Sequence, residues 1–111
     1  MSNDQPSSFD EIKARIVEQL RAGQIRFTIH AHQEMVAENF SLDDVLSGLV
    51  NGELLENYPE HKRGACGLLG GAVLDGRPVP IVCTTARPVL IVITVYEPKP
   101  PKWLTPTQRN H

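Results

Sequence analysis

The sequence predicts an α+β domain, with helices first and an antiparallel sheet after them. Two observations carry that reading. Before residue 53 apolar residues mostly recur at helical spacing, and from Glu53 onward the period is two. The second half also holds a hairpin signal, Asp75-Gly76, between two apolar runs. Segregation of helices from strands in this way points to N-terminal helices packed on a mainly antiparallel sheet of about four to five strands.

Each element has its own local reason. Ser8 with Glu11 three residues on opens a helix, and Phe9, Ile12, Ile16, Val17 and Leu20 form its apolar stripe. Arg21 suits the last turn, and Gly23 suits the position just past it. Ile25 to Ile29 reads as a short strand with Phe27 and Ile29 on one face. A helix follows from His30, with Ala31 and Met35 on one side and Asn39 as a left-handed stop. Ser41 with Asp44 starts another, stapled by Phe40 against Val45, with Val45, Leu46, Leu49 and Val50 as its stripe and Gly52 at its end. Strands are expected over Glu53–Tyr58, Gly67–Leu74, Arg77–Thr84 and Val89–Tyr96. Pro80 marks the third of these as an edge or bulged strand. The continuous β-branched run Val89–Tyr96 reads as the central strand, buried on both faces. Pro98, Pro100 and Pro101 then interrupt regular structure, and Trp103 is expected to fold back as an anchor.

At 111 residues the chain fits one domain with one modest core. The expected limits are a flexible tail over 1–8, the domain over 9–104 and a polar tail over 105–111. A composition of 41% hydrophobic and 22% charged residues is that of a globular protein rather than a disordered one. No apolar run approaches the roughly 20 residues of a membrane helix. The polar stretch Met1–Pro6 lacks the layout of a signal peptide, so a cytoplasmic protein without membrane association is expected. Cys66 and Cys83 are too few for a disulfide framework and read as buried thiols. His30, His32, His61, Cys66 and Cys83 show no paired zinc spacing, so neither a metal nor a cofactor is expected.

Net charge is −2, but it is unevenly spread. Residues 1–60 hold 4 Lys/Arg and 11 Asp/Glu, and residues 61–111 hold 7 and 2. Such asymmetry implies either an acidic and a basic face for partners or acidic helices neutralised by a basic sheet.

The ordered set His30-Ala31, Met35, Asn51-Gly52, Tyr58-Pro59, Arg63-Gly64, Leu68-Leu69-Gly70, Asp75–Pro78, Ile93–Pro98 and Lys102-Trp103 resembles the bacterial family of domain of unknown function 4258. That family is similar to the RelE- and BrnT-like toxins, small ribonucleases with helices on a curved sheet. The resemblance implies the toxin half of a toxin–antitoxin pair, with RNA as substrate and a small antitoxin protein as partner. Two positions depart from it. Glu34 stands where the family usually has Arg, and Pro80 where it commonly has His.

A metal-independent ribonuclease needs a base, an acid and cations for the charged phosphorane. The resemblance, with the chemistry of the side chains, nominates His30 for proton transfer, Arg63 for the phosphate and Tyr96 as a hydroxyl donor or stacking surface. Lys62, Arg77, Lys102 and Arg109 are the expected RNA or phosphate contacts. Glu34, one helical turn after His30, is a modulator that favours a charged imidazole and repels phosphate. The alternative is a catalytically inactive interaction module of the same fold, binding an antitoxin-like protein or pairing with itself. Glu34, Pro80 and the acidic helices motivate it.

Overall fold

The computed structural model describes residues 8–60, 64–95, 103–105 and 108–109, the last two stretches as backbone. The elements are α1 (Phe9–Arg21), β1 (Ile25–Phe27), α2 (Ile29–Ala37), α3 (Leu42–Asn51), β2 (Glu53–Tyr58), β3 (Cys66–Ala72), β4 (Pro78–Thr84), β5 (Leu90–Val95), β6 (Trp103–Thr105) and β7 (Gln108–Arg109). Five strands form one open mixed sheet in the order β1-β5-β4-β3-β2, while β6 and β7 pair separately. β1 runs parallel to β5, and every other neighbouring pair in the five-stranded sheet is antiparallel. The architecture is the α+β arrangement expected. Among the described residues no helix is long and apolar enough to cross a membrane.

Side-chain caps decide where the helices begin. Ser8 Oγ accepts the Glu11 N–H, and Ser41 with Asp44 forms a reciprocal capping box. Asn39 takes φ 58° after α2, and Gly23 takes φ 70° after α1, both as expected. The helices share one core with one face of the sheet. Ile12 and Ile16 of α1, Ala31 and Met35 of α2, and Val45 and Leu49 of α3 meet Leu69, Ile81, Cys83, Leu90 and Val92. Phe40, ahead of α3, is buried in the same cluster as Val45. Val50, expected on the α3 stripe, is exposed.

Several sequence expectations need correction. Ile29 is not a strand residue beside Phe27; it opens α2 and is 80% exposed. Thr28 ends β1 because its hydroxyl accepts the Ala31 N–H and so caps the helix. β4, which contains Pro80, is an interior strand flanked by β3 and β5, not an edge. Pro80 lies opposite Gly70 on β3.

β5 is likewise interior, next to the edge, and it is not buried evenly on two faces. Leu90, Val92 and Val95 are buried, whereas Ile91, Ile93 and Thr94 are half-buried. A bulge explains the broken alternation. Cys83 lies opposite Val92 and Val82 opposite Thr94, which leaves Ile93 as the extra residue. Beyond it the parity reverses. Val95 turns into the core opposite Ile81, and Thr94 leaves on the other face from Leu90 and Val92. The short β6–β7 pair is a feature the proline-rich C-terminal sequence did not suggest. Ser8 caps α1, and the rest of the expected N-terminal tail lies outside the described residues, as does the side chain of Trp103.

Candidate functional site around His30 and Glu34

β1 ends at Phe27, but β5 continues to Val95, so the last residues of β5 need new hydrogen-bond partners. The start of α2 supplies them. The Thr28 N–H donates to the Val92 carbonyl at 3.0 Å, and the Thr28 hydroxyl donates to the carbonyl of the bulged Ile93 at 2.9 Å. Glu34 Oε1 then accepts the Val95 N–H at 2.8 Å. One short helix thus takes over the role of a strand beside the bulged end of β5.

His30 stands on the exposed side of this junction, its side chain 66% exposed. Its Nε2 lies 3.4 Å from Oε2 of Glu34, the oxygen not used by Val95. The arrangement is an accessible imidazole with a carboxylate held in place behind it, the geometry that orients a proton-transfer group. The one-turn spacing anticipated from sequence is therefore realised, and Glu34 has a structural role that its sequence position did not reveal. His32, two residues on, faces a different, apolar surface with Phe27 and Val36.

Replacing Glu34 separates the two roles. Glu34→Ala leaves the half-buried Val95 N–H without its acceptor and is expected to cost about 1–2 kcal/mol. Glu34→Gln keeps an oxygen for that N–H and should retain most of the stability while removing the charge beside His30. Urea melts of the two variants check this; equal losses would mean that the charge, not the acceptor, holds the junction.

The other nominated residues are distributed as follows. Arg77 sits at the opposite end of α2 from His30. Its guanidinium donates to the Glu38 and Asn39 carbonyls at 3.2 and 3.3 Å, pairs with Asp75 at 3.1 Å and lies 4.8 Å from the centre of the Phe40 ring. From residue 30 to residue 38 a helix rises roughly 12 Å, so Arg77 and His30 do not share a site. Lys62 and Arg63 lie outside the described residues. The strand ends that flank them, Tyr58 and Cys66, pair with each other at the end of the sheet where Cys66 also faces Thr84. Val95 lies in the row of Leu69 and Ile81, three residues along β3, or roughly 10 Å, toward the other end. Tyr96 follows Val95 in the chain and, with Lys102, lies outside the described residues. Arg109 is on β7, away from the five-stranded sheet in its pairing.

Cys66 and Cys83 are buried on adjacent strands and form no disulfide with each other. Their side chains leave the sheet on opposite faces, because Gly67, not Cys66, lies opposite Cys83. Burial, and secondarily the neighbouring Cys66, pushes the Cys83 thiol up to about 12. Among the described residues no three His, Cys, Asp or Glu side chains stand close enough to hold a metal ion. Thr28 is the site residue that sequence reasoning missed; the signal for it is a hydroxyl three residues before a backbone N–H at a strand-to-helix change.

The model of one protein family, described as Domain of unknown function (DUF4258), matches residues 27–97, well over half of the chain. That span begins on the last residue of β1 and takes in α2, α3 and β2 to β5, leaving α1 outside. No curated protein and no solved structure is significantly similar to the chain.

Proposed function

The chain belongs to the family of the domain of unknown function DUF4258, and we propose that it is a toxin-like domain of a toxin–antitoxin type system that works as a protein-interaction module. One observation carries this reading. Glu34 stands where the resemblance to related sequences has an arginine, and its carboxylate is committed to the backbone of Val95 and to His30. A negative charge fixed beside the proton-transfer candidate opposes the approach of a phosphodiester. The clustering of acidic residues in the helical half supports contact with a protein partner of opposite charge.

A second reading, a metal-independent RNA endonuclease, is favoured by the accessibility of His30 and the support of its imidazole by a fixed carboxylate. In that mechanism His30 takes the ribose 2′-hydroxyl proton as the 2′-oxygen bonds to phosphorus, the P–O5′ bond breaks and the leaving 5′-oxygen takes up a proton; Arg63 and Tyr96 are the residues proposed for the phosphate, with Lys62, Lys102 and Arg109 for the RNA.

Expression of the wild-type chain distinguishes the two. For an interaction module we expect no growth arrest and no cleavage of purified mRNA or ribosome-bound mRNA. For a nuclease we expect both, with His30→Ala lowering cleavage roughly 10²–10⁴-fold. Cleavage by wild type that is lost in His30→Ala would overturn the interaction reading.

A further inference from the structure

We propose that α1 is a hinged cover, which swings away as one unit about Gly23 while α2, α3 and the five-stranded sheet stay folded.

The hinge is short and stands clear of the domain. Ala22, Gly23 and Gln24 alone join α1 to β1. Gly23 takes φ 70°, and a Cβ built on it would meet nothing within 4 Å. A glycine leaves this left-handed conformation for an extended one without hindrance from a side chain. On the far side the Leu90 N–H holds the Gln24 carbonyl at 3.0 Å, so the movement stops at the start of β1. Across the hinge the Gln24 N–H bonds the Gln19 carbonyl at 2.9 Å, and opening breaks that bond.

Three side chains fasten α1 to the domain. Lys13 Nζ donates to the Val50 carbonyl at 2.8 Å and to that of Gly52. Arg15 Nη2 and Gln19 Nε2 donate to a single carbonyl, that of Arg87, at 3.0 and 2.6 Å. The acceptors lie at the end of α3 and in the β4–β5 turn, where water replaces the side chains once α1 lifts. By contrast, the bonds from Thr28 and Glu34 to β5 and from Asn51 to Ala72 involve no residue of α1. What holds the rest together is therefore left intact.

Packing agrees. Among the described residues sixteen are buried in the shared core, and α1 supplies two of them, Ile12 and Ile16. Phe9, at its start, is 47% exposed. The seat is also imperfect. Arg15 Nε is buried without a hydrogen-bond partner, and a cleft of about 290 Å³ remains between the second half of α1 and Pro88. α1 also precedes the span matched to the family. An element with few buried apolar contacts opens at a lower free energy than the domain as a whole. When it does, the flank of β2, α3 and β5 beneath it is uncovered.

Native-state hydrogen exchange on the full chain tests this cover. The α1 amides should exchange as one group, roughly tenfold or more faster than those of β3 and β4. Their rates should rise less steeply with urea, because the opening exposes less surface than global unfolding. Lys13→Met keeps the apolar stem and removes the ammonium. It should speed α1 alone, by roughly three- to tenfold. Gly23→Ala, strained at positive φ, should act in the same direction and on the same element. Circular dichroism checks that both variants remain folded. Exchange of α1 at the rate and urea slope of β3 and β4 overturns the cover. So does fraying residue by residue from Phe9, or a variant that speeds α1, β3 and β4 equally.

Discussion

Gly71→Ala is expected to destabilise the protein by about 3 kcal/mol, the upper end of overpacking costs, and to lower Tm by roughly 10–15 °C for a domain of this size. Gly71 lies on β3 where the backbone of α3 rests on the sheet. A Cβ there would fall 2.8 Å from the carbonyl carbon and 2.9 Å from the Cα of Gly48. Neither atom can rotate away, so the helix must lift as a body. It is held from both sides: the Asn51 amide bonds both the N–H and the C=O of Ala72, and the Lys13 ammonium donates to Val50 and Gly52. Gly70→Ala is the control. The atoms nearest its Cβ would all belong to the Leu55 side chain, Cδ1 at 2.7 Å and Cγ at 3.3 Å, and that side chain can change rotamer. Thermal and urea melts should show Gly70→Ala within about 1 kcal/mol of wild type. Equal costs at the two positions would mean that the backbone contact between α3 and β3 is not what limits the sheet.

The second large effect is alkaline. The Cys83 thiol is fully buried in the core and keeps its proton up to about 12, because burial disfavours the thiolate and the adjacent Cys66 adds to the effect. In the unfolded chain a cysteine ionises near pH 8.5. Between those values the native state holds more protons than the unfolded state, so stability falls as pH rises. The loss approaches ~1.4 kcal/mol per pH unit and reaches about 2 kcal/mol by pH 10. Lys13 acts with the opposite sign, since burial lowers its pKa, and it is common to wild type and variant. The difference between wild type and Cys83→Ala therefore isolates the thiol. Urea melts from pH 7 to pH 10.5 should show the variant less stable at neutral pH and less sensitive to alkali. Parallel curves would assign the alkaline loss elsewhere.

The fold class was readable from sequence because its strongest signals are local. α1 and α3 are framed by hydroxyl caps and carry regular apolar stripes, and the β3–β4 turn is written in Asp75-Gly76, with Gly76 at φ 93°. The misreadings share one cause, which is that apolar residues are interchangeable in a pattern. Ile25, Phe27 and Ile29 alternate as a strand would, and only the Thr28 hydroxyl ends it. Val89 to Val95 has no polar residue before Thr94 to mark where alternation slips, so the bulge at Ile93 is invisible without its partner strand. The candidate site was half legible. The His30–Glu34 spacing appears directly, but the use of Glu34 depends on Val95, 61 residues away. Arg77 looks like site chemistry in sequence. In the structure, paired with Asp75, it joins the β3–β4 hairpin to the corner between α2 and α3, while Asn51 ties the end of α3 to Ala72.

The parallel pairing of β1 with β5 also orders events in time. Ile25 faces Leu90, 65 residues later, whereas β2 to β5 join one another through antiparallel neighbours in sequence. The closure that brings β1 home therefore carries the largest loop entropy in the sheet. During synthesis α2 emerges with its apolar side bare, and the partner for Thr28 and Glu34 does not exist until Val95 has left the ribosome. Until then the first half of the chain is a set of helices awaiting the last strand, and the interval before its arrival is when a nascent chain is most open to capture by other proteins.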